Sequence, residues 1–96
     1  MIDDRRFEWD VSKSEANLLK HGIDFEEAVA LWLDRCAVYQ TLQFGGERRY
    51  KLHARYSGDV WIAIFTLRGT IIRIISVRRA TKKEVSHYGK SNNQCS

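Results

Sequence analysis

Three stretches of this chain carry side chains able to do chemistry on a negatively charged group. Lys20 and His21 stand together before Gly22, Arg49, Lys51, His53 and Arg55 alternate along a second stretch, and Arg78 and Arg79 are adjacent shortly before Thr81. Arginine's planar fork holds phosphate oxygens or a carboxylate through paired hydrogen bonds, whereas lysine offers a point charge. Histidine ordinarily changes protonation near neutral pH, which makes His21 a candidate for proton transfer. The combination points to chemistry at a phosphate or to a grip on an acidic partner. Plainer roles remain open: Lys20 and His21 suit the negative end of a helix, and cations at strand edges discourage aggregation. Arg73, alone among Ile71, Ile75 and Val77, reads as a structural ion-pair partner.

Charge is divided along the chain. Residues 1–44 carry five basic and nine acidic side chains, residues 45–83 ten basic and two acidic, and seven of those ten cations are arginine. A directed field of this kind attracts phosphates or an acidic protein. His21, His53, His87, Cys36 and Cys95 lack the close paired spacing of a zinc site, and neither a phosphate-loop nor a dinucleotide glycine pattern occurs. No Gly-x-Ser-x-Gly elbow is present. Neither a metal nor a nucleotide cofactor is expected.

The chain has 96 residues, 44% hydrophobic and 29% charged, which predicts one domain over residues 1–90 and a flexible polar tail over 91–96. The longest apolar run, Val60 to Phe65, is far short of the roughly 18 residues a membrane-spanning helix needs. With no leader-like stretch behind Met1, the expected location is cytoplasmic. Two cysteines, one of them in the polar tail, predict no stapling disulfide.

Phe7-Glu8-Trp9 reads as a short strand. Ser12 and Glu15 form a capping box that would open a first helix, with Ala16, Leu18 and Leu19 as its apolar face and Gly22 as its stop. Asp24 and Glu27 repeat the pattern for a second helix, in which Phe25, Ala28, Val29, Trp32 and Leu33 recur at helical spacing. The period becomes alternating from Ala37, and strands are predicted after it, near 47–56, 60–67 and 70–78, joined by hairpin-length turns. Thr81 and Glu84 make a third capping box for a helix ending at Gly89. The fold class is α+β: two N-terminal helices on a mostly antiparallel four-stranded sheet with a short C-terminal helix.

Alternation places Arg49, Lys51, His53 and Arg55 on one wet, basic face and Tyr50, Leu52 and Ala54 on a packed one. In the last strand Thr70, Ile72, Ile74, Ser76 and Arg78 form the face expected to be more open, and Arg78 and Arg79 leave in opposite directions just before a helix start.

Phe-Glu-Trp-Asp at 7–10, Asn-Leu-Leu-Lys-His-Gly at 17–22 and Arg-Ile-Ile-Ser-Val-Arg-Arg-Ala at 73–80 together resemble the BrnT-type toxins of type II toxin-antitoxin systems, within the wider RelE/ParE-like group. Phe25-Glu26-Glu27-Ala28, Glu47-x-Arg49-Tyr50, Arg55, Glu84 and Tyr88 agree in order and spacing. Val11 stands where the family usually has proline, Ala54 where it often has glycine, and Cys36 to Gln43 is not family-typical.

The resemblance implies a RelE-like fold and a metal-independent endoribonuclease without cofactors, inhibiting translation and growth until neutralised by a cognate BrnA-like antitoxin with a DNA-binding domain, in a hetero-oligomer. It carries Lys20, His21, Arg49 and Arg78 over as the catalytic residues. Arg49 and Arg78 would brace the transition state, His21 would transfer a proton and Lys20 would ease the developing charge, while Lys51, Arg55, Arg79 and Lys82 would position RNA. The competing expectations are a non-catalytic nucleic-acid- or protein-binding module, or a ParE-like topoisomerase inhibitor.

Overall fold

The computed structural model describes residues 6–91. The elements are β1 (Arg6–Glu8), α1 (Val11–His21), α2 (Phe25–Ala28) running into a 3-10 helix (Val29–Leu33), β2 (Val38–Phe44), β3 (Glu47–Tyr56), β4 (Asp59–Arg68), β5 (Ile71–Arg79) and α3 (Lys82–Ser91). The fold is α+β, but the sheet has five strands in the order β1-β5-β4-β3-β2. β2 to β5 form the antiparallel meander read from the sequence. The short first strand adds to it in parallel, Glu8 opposite Arg73, so a mixed five-stranded sheet replaces the expected four-stranded one. Side-chain contacts fix β1 there. Arg73 Nη1 donates to Glu8 Oε2 at 3.0 Å, the ion pair expected of Arg73, and the Phe7 ring meets Trp32 edge-on at 5.1 Å.

The first helix starts earlier than its expected capping box. Asp10 is the cap, accepting from Lys13 N at 3.2 Å, and Ser12 lies inside α1. Gly22 ends the helix in the left-handed region, φ 79°, its N–H on Leu18 O. Leu18 and Leu19, the expected apolar face, are exposed, and the buried side chains of α1 are Ser14 and Asn17. The reason is polar. Asn17 Nδ2 donates to Ile23 O and Val77 O at 2.8 and 2.9 Å, while Val77 N donates to Asn17 Oδ1 at 3.1 Å. β1 pairs with β5 only as far as Arg73, so the Asn17 amide completes the backbone pairing of β5 beyond β1's end.

Asp24 caps α2 as expected, accepting from Glu27 N at 2.8 Å, but the helix tightens after Ala28. With three residues per turn, Phe25, Ala28 and Leu31 fall in one buried row, and Leu33 turns out to 59% exposure. These side chains and Trp32 pack on Leu52, Ala63, Phe65, Ile74 and Val77 of the sheet. A bulge between β4 and β5 sets Phe65 opposite Ile74 but Ile64 opposite Ser76. The extra residue, Ile75, switches the alternation, so Ile72, Ile74 and Val77 share the core. The β5 face expected to be open is therefore buried at Ile72 and Ile74.

α3 continues through Gly89 to Ser91, past its expected stop. The remainder of the polar tail, 92–96, lies outside the described residues. Cys36 is disulfide-bonded, contrary to expectation. Among the described residues no helix is long and apolar enough to cross a membrane.

Candidate active site

Because Leu52 and Ala54 face the core, Arg49, Lys51 and His53 emerge on the opposite, outer face of the sheet, and α3 folds across it. The turn into α3 is fixed by the Thr81–Glu84 capping box: Thr81 N donates to Glu84 Oε1 at 2.9 Å, and Glu84 N to Thr81 Oγ1 at 3.2 Å. The same carboxylate takes Arg78 in a two-pronged pair, Nη1 to Oε1 at 2.7 Å and Nη2 to Oε2 at 2.9 Å. Lys51 Nζ reaches Oε2 at 2.7 Å. Four short contacts hold the Glu84 carboxyl far below the usual carboxylate range, the Arg78 hydrogen bonds foremost, against the upward push of burial. Reciprocally, the Glu84 hydrogen bonds raise Arg78.

Beside this cluster lies a hollow of about 390 Å³ lined by Gln40, Lys51, His53, Thr81, Lys83, Glu84 and His87. Its two imidazoles differ. His53 is 1% exposed, its Nδ1 has no hydrogen-bond partner among the described residues, and its ring lies 5.0 Å from that of His87. Burial pushes its basicity down and favours the neutral ring, with repulsion from Lys51 and His87 added and Glu84 opposing. His87 is the exposed one. The basic face expected to be wet is thus covered at His53.

The far end of α3 is tied down separately. Tyr88 OH donates to Asp34 Oδ2 at 2.7 Å, and Asp34 also accepts from Arg55 N at 2.8 Å and Cys36 N at 2.9 Å. Burial pushes the Asp34 carboxyl up, but hydrogen bonds from Arg55 N, Tyr88 and Cys36 N carry it below its ordinary value. The Arg55 guanidinium lies 5.5 Å from the centre of the Tyr88 ring.

The eight residues proposed from the sequence are divided by the fold. Arg78 and Lys51 meet on Glu84. Arg49 is on the same strand face and pairs with Glu47 at 3.0 Å, while Arg55 sits over Tyr88. Arg79 leaves on the other face, as expected, 5.4 Å from the Trp61 ring centre and 3.7 Å from Asp59. Lys82 opens α3, and it is its neighbour Lys83 that lines the hollow together with Lys51. Lys20 and His21 close α1, whereas Lys51 and Arg78 are held on Glu84. Sequence reasoning passed over His87 and Lys83. Glu84 and His87 are three apart and so share a helix face, a signal that could have marked His87 once Glu84 was recognised as the cap.

Cations, an imidazole and hydrogen-bond donors around a solvent-open hollow can bind a phosphate and move a proton beside it. Among the described residues no group of three or more His, Cys, Asp or Glu side chains is arranged to hold a metal ion. Residues 9–84 match the family model described as ribonuclease toxin, BrnT, of type II toxin-antitoxin system. Comparison with curated proteins yields no match.

Proposed function

The chain belongs to the family of BrnT ribonuclease toxins of type II toxin-antitoxin systems, and from that premise we propose that it cuts RNA without a metal ion, in the hollow between β3 and α3. The 2′-hydroxyl of the substrate attacks the adjacent phosphorus, the bond to the 5′-oxygen breaks, and the products end in a 2′,3′-cyclic phosphate and a 5′-hydroxyl. His87 moves the proton. Lys51 and Arg78 each keep N–H donors that Glu84 does not use, and these face the phosphate oxygens as charge builds on them. Neutral His53 packs behind His87 and positions it. Lys83, Arg49 and Arg55 hold the flanking strand. The observation carrying this reading is the meeting of Lys51 and Arg78, from two different strands, on one carboxylate beside an exposed histidine.

In this reading Lys20 and His21, at the end of α1, take no part in the reaction. Cleavage of RNA inhibits translation and growth, and a cognate antitoxin with a DNA-binding domain neutralises the enzyme by covering the hollow. Purified protein on a defined RNA in EDTA is expected to release cyclic-phosphate ends, and a matched strand with deoxyribose at the scissile position is expected to bind uncut. Cleavage that EDTA abolishes and Mg²⁺ restores, or equal cutting of both strands, overturns the mechanism.

A further inference from the structure

Among the described residues β2 is the outermost strand of the sheet, with β3 its one neighbour. Native edge strands are usually shielded by charged side chains, proline or a bulge. Val38–Phe44 reads Val-Tyr-Gln-Thr-Leu-Gln-Phe, with no charge and no proline, and it pairs in unbroken register with β3. Tyr39, Gln40, Thr41 and Gln43 are exposed. Among the described residues nothing pairs with its outer edge, which can serve as a template for another strand.

Its two faces border two different cavities. Tyr39 and Thr41 line an apolar groove of about 340 Å³ on the helix side of the sheet, floored by Trp32, Tyr50, Phe65 and Leu67. Tyr39 is 52% and Leu67 46% exposed, and the aromatic rings already stack: Tyr50 on Phe65 at 5.3 Å, Trp32 edge-on to Phe65 at 5.3 Å. Gln40, between Tyr39 and Thr41, points the other way and lines the outer hollow with Lys51, Lys83 and His87. The Glu84 carboxylate there is already occupied by Arg78, Lys51 and Thr81 N, so the hollow presents net positive charge. A strand laid along β2 would send alternate side chains into one cavity and then the other.

We propose that β2 is the docking edge for the cognate antitoxin, which adds a strand there whose side chains alternate apolar and acidic: apolar ones fill the Tyr39–Phe65 groove, acidic ones enter the Lys51–His87 hollow. The proposal rests on the assignment of the RNA site to that hollow. The acidic side chains take the positions of RNA phosphates, so antitoxin and RNA exclude one another, while the groove on the far face supplies affinity that RNA does not compete for.

The test uses the full chain purified alone and in complex with its co-expressed cognate antitoxin. Backbone amides of 38–44 are expected to gain hydrogen-exchange protection in the complex. Tyr39→Lys and Thr41→Lys, away from the RNA site, are expected to cut RNA like the wild type, which also shows that they fold, while needing roughly tenfold more antitoxin for half-inhibition. Unchanged exchange over 38–44, or unchanged inhibition of both variants, overturns the proposal. So does protection of 38–44 in the toxin alone as a concentration-dependent dimer, which assigns the edge to a second copy. Absence of RNA cleavage by the wild type would sink the functional reading, yet the exchange measurement would still decide the docking edge.

Discussion

Arg78 and Glu84 face each other through two hydrogen bonds, at 2.7 and 2.9 Å, that join the end of β5 to the first turn of α3. The pair belongs both to the candidate site and to the scaffold. It orients Arg78, recruits Lys51 from β3, and fixes where α3 starts.

Glu84→Gln keeps the size of the side chain and removes its charge. Folding stability at pH 7 is expected to fall by about 2 kcal/mol, allowing for solvent around the cluster. Because the Glu84 carboxyl lies below its ordinary 4.5 when folded, the stabilisation is complete above that pH and is lost as the pH falls below it. Urea titrations across acid pH should therefore show wild type and variant converging toward pH 3. A constant gap would disprove the linkage.

The rate of RNA cleavage should fall about a hundredfold in His87→Ala and to a similar extent in Lys51→Ala. His21→Ala should leave it unchanged. Single-turnover rates on one RNA decide between the two histidines, and the reverse pattern would move proton transfer to the end of α1.

Asn17→Leu fills a similar volume but strips Val77 N–H and the Ile23 and Val77 carbonyls of their side-chain partner. Leaving buried backbone groups unpaired should cost about 3 kcal/mol. Chemical denaturation measures this, and hydrogen exchange at Val77 should speed up in the same variant.

The 3-10 tightening separates two leucines two residues apart. Leu31→Ala should destabilise the protein by about 3 kcal/mol, whereas Leu33→Ala should stay within about 0.5 kcal/mol of the wild type. Equal losses would mean that the segment packs as a regular α-helix.

Much of this protein is legible in local sequence. The β3 boundaries, 47–56, follow from its alternation and flanking turns, and the Asp24 and Thr81–Glu84 caps follow from residue types three apart, because a cap depends on bonds within one turn. The opposite exits of Arg78 and Arg79 needed only the strand period. Family membership was carried by short segments whose order and spacing are themselves local patterns.

What sequence alone left undecided depends on residues distant along the chain. β1 joins β5 because Glu8 meets Arg73 across 65 positions, and Asn17 reaches Val77 across 60. Neither partner marks the other in sequence. The bulge at Ile75 inverts the face of every β5 residue before it relative to those after it, which no two-residue period can anticipate. Hence Lys20 and His21 join Arg49 and Arg78 through residue type and family resemblance, whereas the fold sets Lys51 and Arg78 on Glu84, beside the hollow that His87 lines. Residue type determines which charges are available; only the meeting of strands and helix determines which of them share one carboxylate.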